Sequence, residues 1–416
     1  FFAILLGSDN GGTVTPTDNS VTDSKIPSSG GFTIGATGTA STLAGIPFFS
    51  DTSNKSMYTH DVSGTDSTAA GNTAFGFTAM DAITTGDDNV AIGENAATAL
   101  TTGSNNVAIG KNAFAAATTA GRNICIGDGA GQAMGVDGGT AAHVFIGHNA
   151  GNDCTSNAYS IFIGGFAGDG HDTESHNIGI GYDALGGSVA GGEYNVAIGN
   201  YAGDALTSGD SNVFIGYQAG SGNTTGQRGV AIGYQAMDNA ATSSTGNIAI
   251  GYHAGRAILS GEYNCFIGYT SGQSTTTGSA NVGIGQGCLP NPDTESNNIA
   301  IGMDTLAGSI AGGEYNLAIG RNSLDALTSG DYNVAIGYQA GTGLTTGSSN
   351  VLIGTTTTGT ITGNDNTCLG DQAGKILAGG GSNTYIGNKA GVEATSGSNN
   401  TCLGHDAGRT GSPGGS

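Results

Sequence analysis

Asn89-Val90-Ala91-Ile92-Gly93 decides the fold, because this pentad recurs with small variations about twenty times between Asn72 and Gly404. The closing glycines run Gly76, Gly93, Gly110, Gly127 and onward to Gly387 and Gly404, at gaps of 17 residues in most cases, with a few of 16 or 18 and one of 20. A period this short cannot hold a helical pair or a propeller blade. Each repeat is therefore predicted to be one coil of an all-β parallel solenoid, a β-roll.

Alignment on the closing glycine gives each position a role. Four residues before it stands Asn in most coils, including Asn89, Asn106, Asn212 and Asn333. Stacked coils would set these amides in a structural column, each donating to one neighbour and accepting from the other. Val90 and Ile92, like Val213 and Ile215, are two apart and are expected on one strand face, pointing into the coil. The residue between them is then expected to face outward, yet it is apolar: Ala91, Phe145, Phe162, Phe214 and Phe266 all occupy it. A strand apolar on both faces is buried on both, so this position is the expected subunit interface of a homo-oligomer. Three residues after the glycine comes Ala, as in Ala96 and Ala113, fitted to a tight inner corner. Seven before it comes another glycine, as in Gly86, Gly103 and Gly209, expected to supply positive φ at a turn.

The repeat domain spans residues 71–408. Residues 1–31 form an N-terminal arm whose apolar side chains, Phe1, Phe2, Ile4, Leu5 and Leu6, mark either a frayed terminus or a strand that docks on another subunit. Residues 32–70 are irregular, as expected of a cap over the first open coil edge, and residues 409–416 are a flexible tail. A longer period overlies the short one: Asp172-Thr173-Glu174-Ser175 returns as Asp293-Thr294-Glu295-Ser296, an offset of 121 residues that points to block duplication of coils. Duplication of that kind lengthens a rod without changing its cross-section.

Composition excludes several classes. Formal charge is −22, so nucleic acid would be repelled. No apolar run approaches the eighteen or so residues of a membrane span, so membrane insertion is not expected. The six cysteines do not form a disulfide framework: Cys368 and Cys402 lie two coils apart, roughly 10 Å at ~4.8 Å per coil. A chain starting at Phe rather than Met fits loss of a leader and export.

Asn-Asn-Val-Ala-Ile-Gly at 105–110 and Asn-Val-Ala-Ile-Gly-Tyr-Gln-Ala-Gly at 333–341 resemble the head repeats of YadA-like trimeric autotransporter adhesins, and similar repeats in the shafts of phage and virus tail fibres. The resemblance covers residues 71–408. It implies a left-handed parallel β-roll, three chains packed as a trimer, and a surface that binds extracellular matrix or host glycans. The repeat here is longer than the usual adhesin repeat.

No catalytic constellation emerges, and no enzyme is expected. The seven histidines occupy scattered coil positions. Gly127-Asp128-Gly129-Ala130-Gly131 mimics a nucleotide fingerprint but lacks its strand-loop-helix context. No cofactor is expected; the acidic column of Asp87, Glu193, Asp210, Glu262, Glu314 and Asp331 is read as a solvated turn edge, with calcium as the alternative. The surface candidate is a tyrosine ladder just after the repeat glycine, Tyr182, Tyr217, Tyr234, Tyr252, Tyr269 and Tyr338, whose rings either stack on sugars or on each other. Thr pairs such as Thr101-Thr102 and Thr224-Thr225 are read as turn residues, with an ice-binding array as the alternative. The expectation is a non-enzymatic extracellular fibre subunit, at a cell surface or on a virion. Its alternatives are a filament joined end to end through residues 1–7 and a glycan- or ice-binding solenoid.

Overall fold

The computed structural model describes residues 41–43, 46–51, 56–58 and 68–409, apart from 136–141, 157–158, 188–190, 240–243, 358–361 and 395. Phe1, Phe2, Ile4, Leu5 and Leu6 lie outside these residues. Among the described residues the chain is all-β, a parallel solenoid of coils about 17 residues long. Three strands lead in: β1 (Ser41–Leu43) and β2 (Ile46–Asp51) pair antiparallel, as do β2 and β3 (Ser56–Tyr58). The chain then turns parallel, β3 pairing with β4 (Thr73–Phe75). From there each coil adds one three-residue strand in register, Val90 beside Val107, Ala91 beside Ala108 and Ile92 beside Ile109, through to Thr401–Leu403.

Stacking in register is permitted by glycine. At Gly93 φ is +132°, and a Cβ there would sit 2.5 Å from the Gly110 carbonyl oxygen of the next coil. Both backbone conformation and coil spacing forbid a side chain. The glycine seven positions earlier has a different role from the one expected. Gly86 has no positive φ; a Cβ on it would meet the Gly103 oxygen at 2.2 Å. Close approach between coils, not a left-handed turn, selects glycine there. The left-handed positions include the residue before the ladder Asn, as at Asp88 (φ 56°) and Tyr194 (φ 59°).

The asparagine column forms as expected. The Asn89 backbone N–H donates to the Asn72 side-chain oxygen at 2.9 Å, and the Asn89 amide donates to that same oxygen (3.1 Å) and to the Gly103 carbonyl (2.9 Å). Asn106 and Asn333 repeat the pattern, and Asn212 continues it to Gly226. Buried amides so placed satisfy donors and acceptors that would otherwise be orphaned. Where the column lacks Asn, the next group substitutes: the His143 N–H donates to Asn123 (3.1 Å), and the Ser160 N–H to His143 Nδ1 (3.3 Å).

The strand faces are inverted relative to expectation. Ala91, Phe145, Phe162, Phe214 and Phe266 are fully buried within their own coils, whereas Val90 and Ile92 face outward. These five residues therefore form the solenoid core and cannot be a subunit interface. The cause is period two: Asn89 turns inward to join its column, Ala91 two residues on shares that face, and Val90 and Ile92 take the other.

Two core positions trade bulk between coils, the middle strand residue and the residue four after the closing glycine, while a third position, seven after it, adds Ile83, Leu100, Leu206 or Leu327. Phe162, Phe214 and Phe266 enter from the strand, with glycine four residues after the closing one; a Cβ on Gly168, Gly220 or Gly272 would lie 2.4–2.5 Å from the ring. In other coils the strand offers Ala and the later position supplies the bulk, as with Ala74 and Met80, Ala108 and Phe114, or Ala231 and Met237. Met80, Phe114 and Met237 accept φ of 51–59° to do so. In these coils bulk at one position is matched by a small residue at the other.

Phe214→Ala alone should cost about 3–5 kcal/mol locally, and Gly220→Met alone should overpack. The double variant should recover much of the loss, because Ala231 with Met237 is the same arrangement one coil on; hydrogen exchange of the Phe214 coil would measure it.

Candidate functional site: an apolar stripe with aromatic margins

The outward strand face is an unbroken ladder of apolar side chains from Val90 to Ile353, two per coil, nearly all Val or Ile. Ile92, Ile198 and Ile284 are 37–38% exposed, the limit for side chains that lie against their neighbours above and below. Beyond the closing glycine on one side and the ladder asparagine on the other, the next columns carry aromatic residues in several coils.

On the side after the closing glycine, Tyr182, Tyr217, Tyr234, Tyr252, Tyr269 and Tyr338 are all exposed. Tyr217, Tyr234, Tyr252 and Tyr269 stack in turn, with centroids 5.3, 5.4 and 5.0 Å apart and planes within 17°. Two further rings join them from the adjacent position, Phe166 and Tyr201, with His148 ahead. The result is a continuous ribbon, His148–Phe166–Tyr182–Tyr201–Tyr217–Tyr234–Tyr252–Tyr269, with successive centroids 5.0–6.1 Å apart. Its first part alternates edge to face; its second is stacked. Tyr338 stands outside it. In the stacked part the rings turn their faces to one another, leaving edges and hydroxyls for any sugar.

The other margin carries a column that sequence reading missed. Tyr159, His176 and Tyr194 contact in succession at 5.4 and 4.8 Å, and Tyr315 stacks on Tyr332 at 5.0 Å. The signal was present: aromatic residues stand directly before the ladder position in five coils, Tyr159, Tyr194, Tyr263, Tyr315 and Tyr332.

The acidic and Thr columns serve the turns. Asp87 accepts the Ala70 N–H at 2.8 Å, and Asp210 and Asp331 accept those of Glu193 and Glu314 at 2.9 Å. Thr101 and Thr207 hydroxyls donate to carbonyls of the next coil at 2.8 and 2.9 Å. The duplicated Glu174 and Glu295 are buried and accept the Gly191 and Gly312 N–H groups at 2.9 and 2.8 Å, closing equivalent turns 121 residues apart. Among the described residues no group of three or more His, Cys, Asp or Glu side chains could hold a metal, and no helix is long and apolar enough to cross a membrane. All six cysteines are free, and burial pushes the Cys368 thiol up to about 12 and the Cys288 thiol up to about 11. Thiols held protonated in this way are poor nucleophiles.

Charge gathers on one stretch of the rod. Asp169 and Asp204 are each raised to about 6, first by desolvation and then by the nearby Asp183 carboxylate. His171 lies in the core beside the Phe162 ring at 5.0 Å. Burial depresses it to about 4, outweighing the opposing effects of the Glu174 carboxylate and the Leu185 carbonyl. A histidine depressed from 6.5 stabilises the fold above pH 6.5 and loses that contribution as pH falls toward 4, where the folded ring also protonates. The loss is about 3 kcal/mol. His171→Leu, which keeps an apolar side chain at a core position that Leu206 fills in a later coil, should remove this dependence. Thermal melts of the two chains should diverge progressively between pH 6.5 and 4 and run parallel above pH 7.

No protein-family model matches the chain, and no curated protein matches it.

Proposed function

We propose that the chain is a non-enzymatic structural and adhesive subunit of an extracellular fibre, at a cell surface or on a virion, in which three copies bury their Val/Ile stripes against one another. The observation that carries this is the stripe itself. Sixteen coils from Val90 to Ile353, at ~4.8 Å per coil and about 10 Å of strand width, present roughly 700 Å² of continuous apolar surface. A monomeric protein seldom exposes a patch beyond about 600 Å², and patches larger than that mark interaction sites. Covering the stripe is worth on the order of 15–20 kcal/mol per chain before association costs. A partner of the same length and pitch matches it best, and another copy of the same sheet has both. Three copies, rather than two, follow from the resemblance of the repeat to trimeric adhesin heads.

The aromatic margins and the net charge of −22 are then left to the outside of the fibre. Ring edges and phenolic hydroxyls along Tyr217–Tyr269 suit contact with an amphipathic partner such as a matrix or host glycan, and this is the adhesive part of the proposal. The shallow open depression lined by Ala115, Ala116, Gln132, Ala133, Asn152 and Asp153 mixes small apolar and polar side chains and brings no nucleophile and base together.

Light scattering of the intact chain should give a mass near three times 40.6 kDa. Val213→Lys with Ile215→Lys places two charges on the stripe without entering the core, so it should weaken assembly while leaving the β-sheet circular dichroism unchanged. A wild-type chain that remains a stable monomer at micromolar concentration would overturn the proposal, and long filaments would shift the joining role to Phe1–Leu6.

A further inference from the structure

Two sets of tyrosines are held ring over ring in adjacent coils. Tyr217, Tyr234, Tyr252 and Tyr269 form one, and Tyr315 with Tyr332 forms the other, at a centroid separation of 5.0 Å and an interplanar angle of 6°. All six rings are exposed. Two other exposed tyrosines stand alone in their columns. Tyr263, 63% exposed, has Gly246 and Ala280 at the same position of the flanking coils, and Tyr338, 49% exposed, has Arg321 and Thr355. Exposure is therefore shared by both groups, and only stacking separates them.

We propose that Tyr217–Tyr234–Tyr252–Tyr269 and Tyr315–Tyr332 are oxidative cross-linking sites, at which a peroxidase-class oxidant joins stacked phenols of adjacent coils into dityrosine. The oxidant takes one electron and one proton from each of two phenols. The paired phenoxyl radicals form a carbon–carbon bond between ring carbons ortho to the oxygens, and each ring regains its phenol as the hydrogen on that carbon moves to oxygen. The two electrons and two protons removed reduce one hydrogen peroxide to two waters. Coupling is limited by the meeting of two short-lived radicals, and the in-register stack supplies a partner at about 5 Å, a large effective concentration. A lone phenol must wait for a second molecule.

The link also has a mechanical consequence. Tyr252 to Tyr269 and Tyr315 to Tyr332 each close a loop of 17 residues, one coil of the rod. A covalent bond across that loop constrains the uncoiled chain as other cross-links do, and so holds the coils against local opening. The proposal concerns bonds within one chain and does not depend on how many chains assemble.

The test treats the intact chain with a haem peroxidase and hydrogen peroxide, isolates single chains by denaturing electrophoresis, and maps dityrosine peptides by mass spectrometry. Tyr252–Tyr269 and Tyr315–Tyr332 pairs are expected in at least tenfold excess over any pair containing Tyr263 or Tyr338. Tyr332→Phe keeps the stacked ring and should abolish the Tyr315 link while leaving Tyr252–Tyr269 in place. In denaturant the preference should vanish. Equal yields at Tyr263 and Tyr338, links found only between chains, or a preference that survives denaturation would each overturn the proposal.

Discussion

The close approach of one coil to the next is the constraint on which the rest depends. Parallel strands in register bring backbone against backbone at the closing glycine, where a Cβ on Gly93 would overlap the Gly110 oxygen. With that column free of side chains, the strand bonds and the asparagine column can all repeat without slip. The asparagine column then fixes register a second time, because Asn89 must find Asn72 below it and Asn106 above. A slip of one residue would reverse every inward and outward side chain.

Inward direction follows from that column. The buried amide and the middle strand residue are two apart, so the core receives Ala, Phe, Leu or Cys from the strand, and the Val and Ile on either side are left outside. The cross-section is small, so a large ring from the strand, as at Phe162, Phe214 or Phe266, is met by glycine four residues after the closing one. Phe214 with Gly220, and Ala231 with Met237, solve the same volume problem in opposite ways in neighbouring coils. The solenoid therefore tolerates variation in which position carries the bulk while keeping its outer shape constant, which favours a uniform lateral surface along the rod.

The function we propose rests on that outer surface. A sheet whose outside is Val and Ile over sixteen coils exposes a larger continuous apolar surface than a monomer usually does, and the proposed assembly would cover it. The aromatic columns at its margins are ordered by the same repeat: rings that would be scattered on a globular surface are set about 5 Å apart because the backbone beneath them is. The proposed oligomerisation through the stripe and the proposed oxidative coupling along the margins would both use this borrowed periodicity.

The sequence by itself determined the coil, its period and its parallel stacking, since glycine and asparagine placed every 17 residues satisfy few other backbones. It also determined the buried Asn89, Asn106, Asn212 and Asn333 column, whose residues can be buried only in pairs of donors and acceptors. Only the tertiary structure decided which strand face is the core. Val90, Ala91 and Ile92 are all apolar, so alternation in hydrophobicity carried no direction, and the parity of Asn89 with Ala91 settled it through hydrogen bonding instead. Only the structure joined Phe166 and Tyr201 to the tyrosine ladder as well. They sit one residue out of column, and a side chain's reach across a 5 Å step is a property of space that no alignment by position contains.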